Sequence, residues 1–130
     1  MAAIAKPSRT TGTLKLILYL IADDDIQLIG DKYLIEEMIR YAEVYPSETA
    51  ASLLEALASK MKLIEVEEKY LKICKEYMGT NDLSDVYHAA ACLHTGSAMI
   101  SDDGHFNRIR DEGIINVWST HQAIKELLGI

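Results

Sequence analysis

The sequence predicts an α/β fold, three layers (α/β/α) built on a mainly parallel sheet. Three observations carry this. Helical apolar patterns alternate with short β-branched runs, the order expected of strands joined by crossover helices. The 130 residues are 49% apolar and 25% charged, too apolar for disorder and long enough for one core. No linker, low-complexity tract or internal repeat divides the chain, so residues 1–130 read as a single domain.

Residues 11–22 predict a helix opened by Gly12-Thr13. Leu14, Leu16, Ile17, Leu18, Leu20 and Ile21 make it apolar on most sides, so it should be largely buried. Asp23-Asp24-Asp25 ends it. Residues 26–29 are short and β-branched, bounded by Asp25 and Gly30, and predict a strand. Asp31 can cap a helix over 32–44, with Leu34, Ile35, Met38 and Tyr41 inward. Pro46 stops it, and Ser47 caps the next helix, 48–60, whose core face is Leu53, Leu54 and Leu57.

A second strand is predicted over 62–66. A helix over 67–78 follows, with Leu71, Ile73, Cys74 and Tyr77 inward and Gly79 closing it. After a loop, Ser84 caps an alanine-rich helix over 85–95, closed by Gly96. It is apolar enough to require a sheet against it. A strand over 98–101, a short helix over 103–112 closed by Gly113, a strand over 114–118 and a helix over 120–128 complete the chain. Residues 1–10 contain no good strand, so the chain opens directly on a helix.

Twenty acidic against 13 basic residues give a net charge of −7. That argues against gripping nucleic acid by bulk charge. It leaves open an enzyme that meets phosphate through a metal. The longest apolar run, 14–22, is short and carries Lys15, so no membrane span is predicted. The first residues are too weakly basic for a signal peptide, and the protein reads as cytoplasmic. Cys74 and Cys92 form no CxxC. Cys92 lies in Ala89-Ala90-Ala91-Cys92-Leu93, the setting of a small buried hydrophobe. His88, His94, His105 and His121 lack HExxH or HxH spacing, which does not suggest zinc. No GxGxxG, GxxxxGK[ST] or GxSxG string occurs.

Sites in open parallel sheets form beyond the carboxyl ends of the strands. Asp102 and Asp103 follow the predicted strand 98–101. Glu36 and Glu37 lie on the helix after 26–29, and Asp82 and Asp85 at the start of the alanine-rich helix. Converging carboxylates repel one another unless a cation holds them. Hard oxygen donors suit Mg²⁺ or Mn²⁺, which serve phosphoryl chemistry. Each acid also has a plainer role open to it. Asp85 and Asp103 sit where helix dipoles favour acids, and Glu36 and Glu37 fit a solvated face.

Two strings are more specific. Ser84-Asp85-Val86-Tyr87-His88-Ala89-Ala90-Ala91 is followed by Ser101-Asp102-Asp103-Gly104-His105-Phe106. Together they resemble the C-terminal half of a PIN domain: Asp, three residues, Ala-Ala, then a strand ending in Ser/Thr-x-Asp-x-x-Phe. Leu34-Ile35-Glu36-Glu37-Met38-Ile39-Arg40 looks like that family's acidic helix. The resemblance spans roughly residues 5–120.

The resemblance implies a PIN-like, five-stranded parallel sheet and a metal-dependent ribonuclease that hydrolyses RNA phosphodiesters, as a toxin or an RNA-processing enzyme. It places catalytic, metal-holding acids at Glu37, Asp85 and Asp103, with Glu36 as the alternative register for the first. Asp82 becomes an auxiliary acid, and Ser101 the residue that orients the last acid or its Mg²⁺ or Mn²⁺. Lys6, Arg9, Arg40 and Arg108 are candidates for contacting the RNA backbone. An antitoxin or assembly protein and a homodimer are the implied partners.

One departure matters. The family's first acid, at the end of its first strand, has no counterpart here. Either the sequence starts at an internal methionine and is N-terminally incomplete, or the chain is a natural degenerate member. The intact later acids favour the first. On that reading the absent strand belongs between 26–29 and 98–101. The alternative function is a catalytically impaired PIN-like module that binds RNA or a partner protein. A receiver-like phosphoacceptor lacks both the paired early acids and the late lysine it needs.

Overall fold

A computed structural model of the chain describes residues 12–44, 47–78 and 82–130. In order, its elements are α1 (Gly12–Ala22), β1 (Leu28–Gly30), α2 (Lys32–Val44), α3 (Glu48–Lys60), β2 (Met61–Leu63), α4 (Glu68–Met78), α5 (Leu83–Thr95), β3 (Met99–Ile100), a 3-10 turn (Gly104–Phe106), α6 (Asn107–Asp111), β4 (Val117–Trp118) and α7 (Thr120–Leu128). The helix stop at Pro46, the closure at Gly79, the start at residue 11 and the candidate RNA contacts Lys6 and Arg9 lie outside the described residues.

The alternation of helix and strand is as the sequence predicts, and the strand pairs are parallel. The three-layer α/β/α fold with one mainly parallel sheet is not what forms. The described chain is mostly helical, and its strands make two separate two-stranded sheets, β1 with β2 and β3 with β4. The reason is pairing. Each strand is only two or three residues long, and β1 and β3 share no ladder. The predicted strand 62–66 stops at Leu63, and 114–118 shortens to its last two residues.

Local signals place most helix starts. The Asp31 carboxylate accepts from the backbone N–H of Tyr33 at 2.9 Å and of Leu34 at 3.1 Å, capping α2. Ser47 caps α3 through the Ala50 N–H. The cap of α5 is Asp82 rather than Ser84, and it accepts from the Ser84 backbone at 3.0 Å and the Ser84 hydroxyl at 2.6 Å. The helix therefore begins two residues earlier than expected. Gly96 ends it at φ +68°, a left-handed conformation that costs glycine nothing. The predicted helix 103–112 begins as the 3-10 turn, capped by Asp103.

Neither apolar helix is covered by a broad sheet. α1 packs against α7 and α3, and α5 packs mainly against α4, with α2 and β1 also in contact. The Lys60 ammonium, at the end of α3, donates to the Leu20 carbonyl and to the Asp23 carbonyl at 2.6 Å. It thereby ties down the last turn of α1. Two apolar clusters result. One joins α4, α5 and α6 through Leu71, Cys74, Val86, Ala89, Phe106 and Ile109. The other joins α2 and α3 around Met38, Leu54 and Leu57. Leu18 (48% exposed) and Ile73 (39%) face outward, against expectation.

Both cysteines are free and buried. Burial pushes the thiol of Cys74 up to about 11 and that of Cys92 up to about 12, so both stay protonated at neutral pH. Among the described residues no helix is long and apolar enough to cross a membrane.

Ile109 is fully enclosed, whereas Ile39 is 55% exposed. Ile109→Ala is expected to lose about 2–5 kcal/mol of stability in urea unfolding, through lost transfer energy and a residual cavity. Ile39→Ala should change it by no more than ~0.5 kcal/mol.

Candidate functional site

Three of the acids singled out in the sequence, Glu37, Asp85 and Asp103, line a cleft between the two sheets. The cleft measures about 640 Å³, and its lining includes Asp31, Glu37, Asp85, His88, Ser101 and Asp103. Helix α5 supplies two of these, one turn apart. Asp85 sits in its first turn and is buried, and His88 follows three residues later. β1 delivers Asp31 and α2 delivers Glu37. The loop after β3 delivers Ser101 and Asp103.

The first half of the site is a histidine between two carboxylates. His88 Nδ1 lies 2.6 Å from Asp31 Oδ2, and His88 Nε2 lies 3.1 Å from Glu37 Oε1. Carboxylates only accept, so both ring nitrogens must donate and the ring is an imidazolium. Burial alone pulls its pKa down. The hydrogen bonds and charges of Asp31 and Glu37 outweigh that and raise it to about 9. Asp31 thus does two things, capping α2 with one oxygen and holding His88 with the other.

The second half is Asp85, Asp103 and His105. One donor atom from each lies within 4.8 Å of the others. His105 Nδ1 is 2.8 Å from Asp85 Oδ2 and 3.5 Å from Asp103 Oδ1. The hydrogen bond to Asp85, with the charge of Asp103, raises the pKa of His105. Ser101 Oγ accepts the Asp103 backbone N–H at 3.1 Å, and Asp103 Oδ1 accepts the His105 N–H at 2.9 Å. Two carboxylates and one imidazole form a donor set suited to Mn²⁺. Mg²⁺ prefers oxygen alone.

Of the predicted acids, Asp85 and Asp103 come together. Glu37 reaches the same helix but through His88, and it does not belong to the 4.8 Å group. Glu36 is exposed, so Glu37 is the register that turns inward. Asp82 is exposed and serves as the cap of α5; its hydrogen bond from the Ser84 hydroxyl lowers its pKa. Asp102 binds the Thr120 N–H and hydroxyl at 2.8 and 2.7 Å, which secures the start of α7. Arg108 lies over the Tyr77 ring, 6.0 Å from its centroid, and Arg40 is exposed.

Sequence reasoning gave Asp31 only its capping role and assigned none to His88 and His105. Histidine motif searches look for two histidines at fixed spacing, and here each histidine pairs with carboxylates. The available signals were the i, i+3 spacing of Asp85 and His88 and the Asp-Gly-His turn after β3.

No family model, no curated protein and no solved structure matches the chain.

The raised His88 pKa makes stability depend on pH. The imidazolium is favoured in the folded state, so its contribution is full below about 6.5, the ordinary histidine value, and is lost as pH rises through about 9. The loss should be on the order of 3 kcal/mol, read as a falling melting temperature between pH 6.5 and 9.5. In His88→Gln that decline should flatten.

Proposed function

We propose that the protein is a divalent-metal-dependent ribonuclease, with Asp85 and Asp103 as the carboxylates that hold Mg²⁺ or Mn²⁺ and Glu37 as the third acid. One observation carries this reading: Asp85, Asp103 and His105 converge from two separate elements to within ligand reach of a single ion. The PIN resemblance of the strings around Asp85 and Asp103 supplies the substrate class, an RNA phosphodiester. A metal held there would bind the phosphate, acidify a water and stabilise developing charge.

The chain's own residues do the rest. Asp85 and Asp103 bind the cation through hard oxygens. Ser101 fixes the loop that aims Asp103, and Asp82 fixes the turn of α5 that aims Asp85. Glu37, 41% exposed in its side chain, would orient a water through the oxygen that does not face His88. His105 must give up its proton before it can ligate, so metal affinity rises with pH. An antitoxin or assembly partner and a homodimer belong to the same reading.

A second reading is a module that binds RNA or protein without cleaving. It is favoured by the ion pairs of His88 with Asp31 and Glu37 and of His105 with Asp85, which give these carboxylates charged partners from the chain itself.

Mn²⁺ should raise the melting temperature, because a ligand of the folded state stabilises it by mass action. The shift should be larger at pH 8 than at pH 6, and Asp103→Asn should abolish it. With Mn²⁺ the protein should cleave a fluorescent single-stranded RNA, and Asp85→Asn should bring cleavage below detection. Mn²⁺ binding without cleavage would select the second reading. A thermal shift left intact in Asp103→Asn would remove the metal site.

A further inference from the structure

Among the described residues, each sheet turns an unpaired edge toward the same cleft. In β1 the Gly30 carbonyl accepts from the Ile64 N–H at 2.9 Å, so Leu28 and Gly30 face β2. Backbone groups alternate sides along a parallel strand, so the N–H and C=O of Ile29 point the other way. In β3 the Met99 N–H donates to the Asn116 carbonyl and the Ser101 N–H to the Trp118 carbonyl, both at 2.9 Å. The backbone of Ile100 between them also points away from its partner. Ile29 and Ile100 both line the cleft.

β1 and β3 both lead toward the start of α5. β1 is followed by Asp31, which meets His88, and β3 by the loop whose His105 meets Asp85. Asp85 and His88 are one turn apart on α5, so both strands aim their carboxyl ends at the same place. The walls between the edges are apolar. Ala91 and Cys92 of α5 line the cleft, as do Leu20 of α1 and Leu127 of α7. Two facing edges and two apolar walls match an extended peptide, whose backbone bonds both ways and whose side chains alternate between the walls.

Charge selects the sequence of that peptide. Among the described residues the lining holds four carboxylates, Asp31, Glu37, Asp85 and Asp103, against one imidazolium, His88, and no lysine or arginine, so the cleft stays acidic. All four lie at the carboxyl end of the strands. We propose that the cleft binds an extended segment of a partner protein, a run of apolar residues followed by a lysine or arginine, as a strand parallel to β1 and β3. Five residues of either edge, 26–30 and 97–101, border the cleft, which sets the length of the run at about three to five. This inference uses backbone edges and does not rest on nuclease activity.

The test uses fluorescein-labelled acetyl-Val-Ile-Val-Leu-Lys-amide titrated with the full chain in EDTA and followed by anisotropy. Saturable binding at micromolar concentration is expected, at least about tenfold weaker when the central valine is N-methylated and when the lysine is replaced by glutamate. Ile100→Pro removes the one N–H of β3 that faces the cleft and leaves the bonds of Met99 and Ser101 to their partners. It should weaken binding about tenfold with the melting temperature retained. If that variant fails to fold, the N-methylated peptide reads the same hydrogen bonds from the other side. Absence of saturable binding would overturn the proposal, as would equal affinity of the N-methylated peptide, which would indicate simple apolar adsorption. Equal affinity of the glutamate peptide would overturn the basic residue.

Discussion

Helix α5 is enclosed on most sides, and small side chains make that feasible. Ala89 and Ala90 are fully buried and Ala91 nearly so. With only methyl groups there, α4 can approach one face while α2 and β1 reach another. Asp85 and His88 ride on this helix, so its packing sets their positions to the precision of a close-packed core. The site is therefore held by a rigid element at its centre and by loops only at its rim.

Four carboxylates around one cleft would repel one another if left alone. Two histidines relieve that. His88 bridges Asp31 and Glu37, and His105 joins Asp85 to Asp103. The two differ in setting. His88 is mostly buried, and its charge is bound up with folding. His105 is largely exposed, and its proton can be exchanged for a metal. The half around His88 is thus the more enclosed, and the half around His105 the more open to solvent.

The cleft and the acids are parts of one arrangement. Because β1 and β3 do not pair, a gap of about 640 Å³ separates them. Because both strands run toward the start of α5, the acids that follow them meet at one end of that gap. An occupant of the gap and a cation at its end would be neighbours. Binding of one would alter the field felt by the other.

The sequence by itself determined the elements whose signals are local. Helices 32–44, 48–60 and 120–128 have the expected boundaries, because apolar period and caps such as Asp31 and Ser47 act within a few residues. The parallel sense of the strand pairs was legible from the alternation with helices. The strings around Asp85 and Asp103 and the helix of Glu37 singled out residues that line one cleft. The tertiary structure alone decided that the strands form two sheets, since pairing depends on partners such as Met61 for Leu28, distant in the chain. It also decided the roles of His88 and His105. The contact of His88 with Asp31 spans 57 residues, and the contact of His105 with Asp85 spans 20. No local pattern encodes such contacts, because they exist only once the packing of α5 has brought the two elements together.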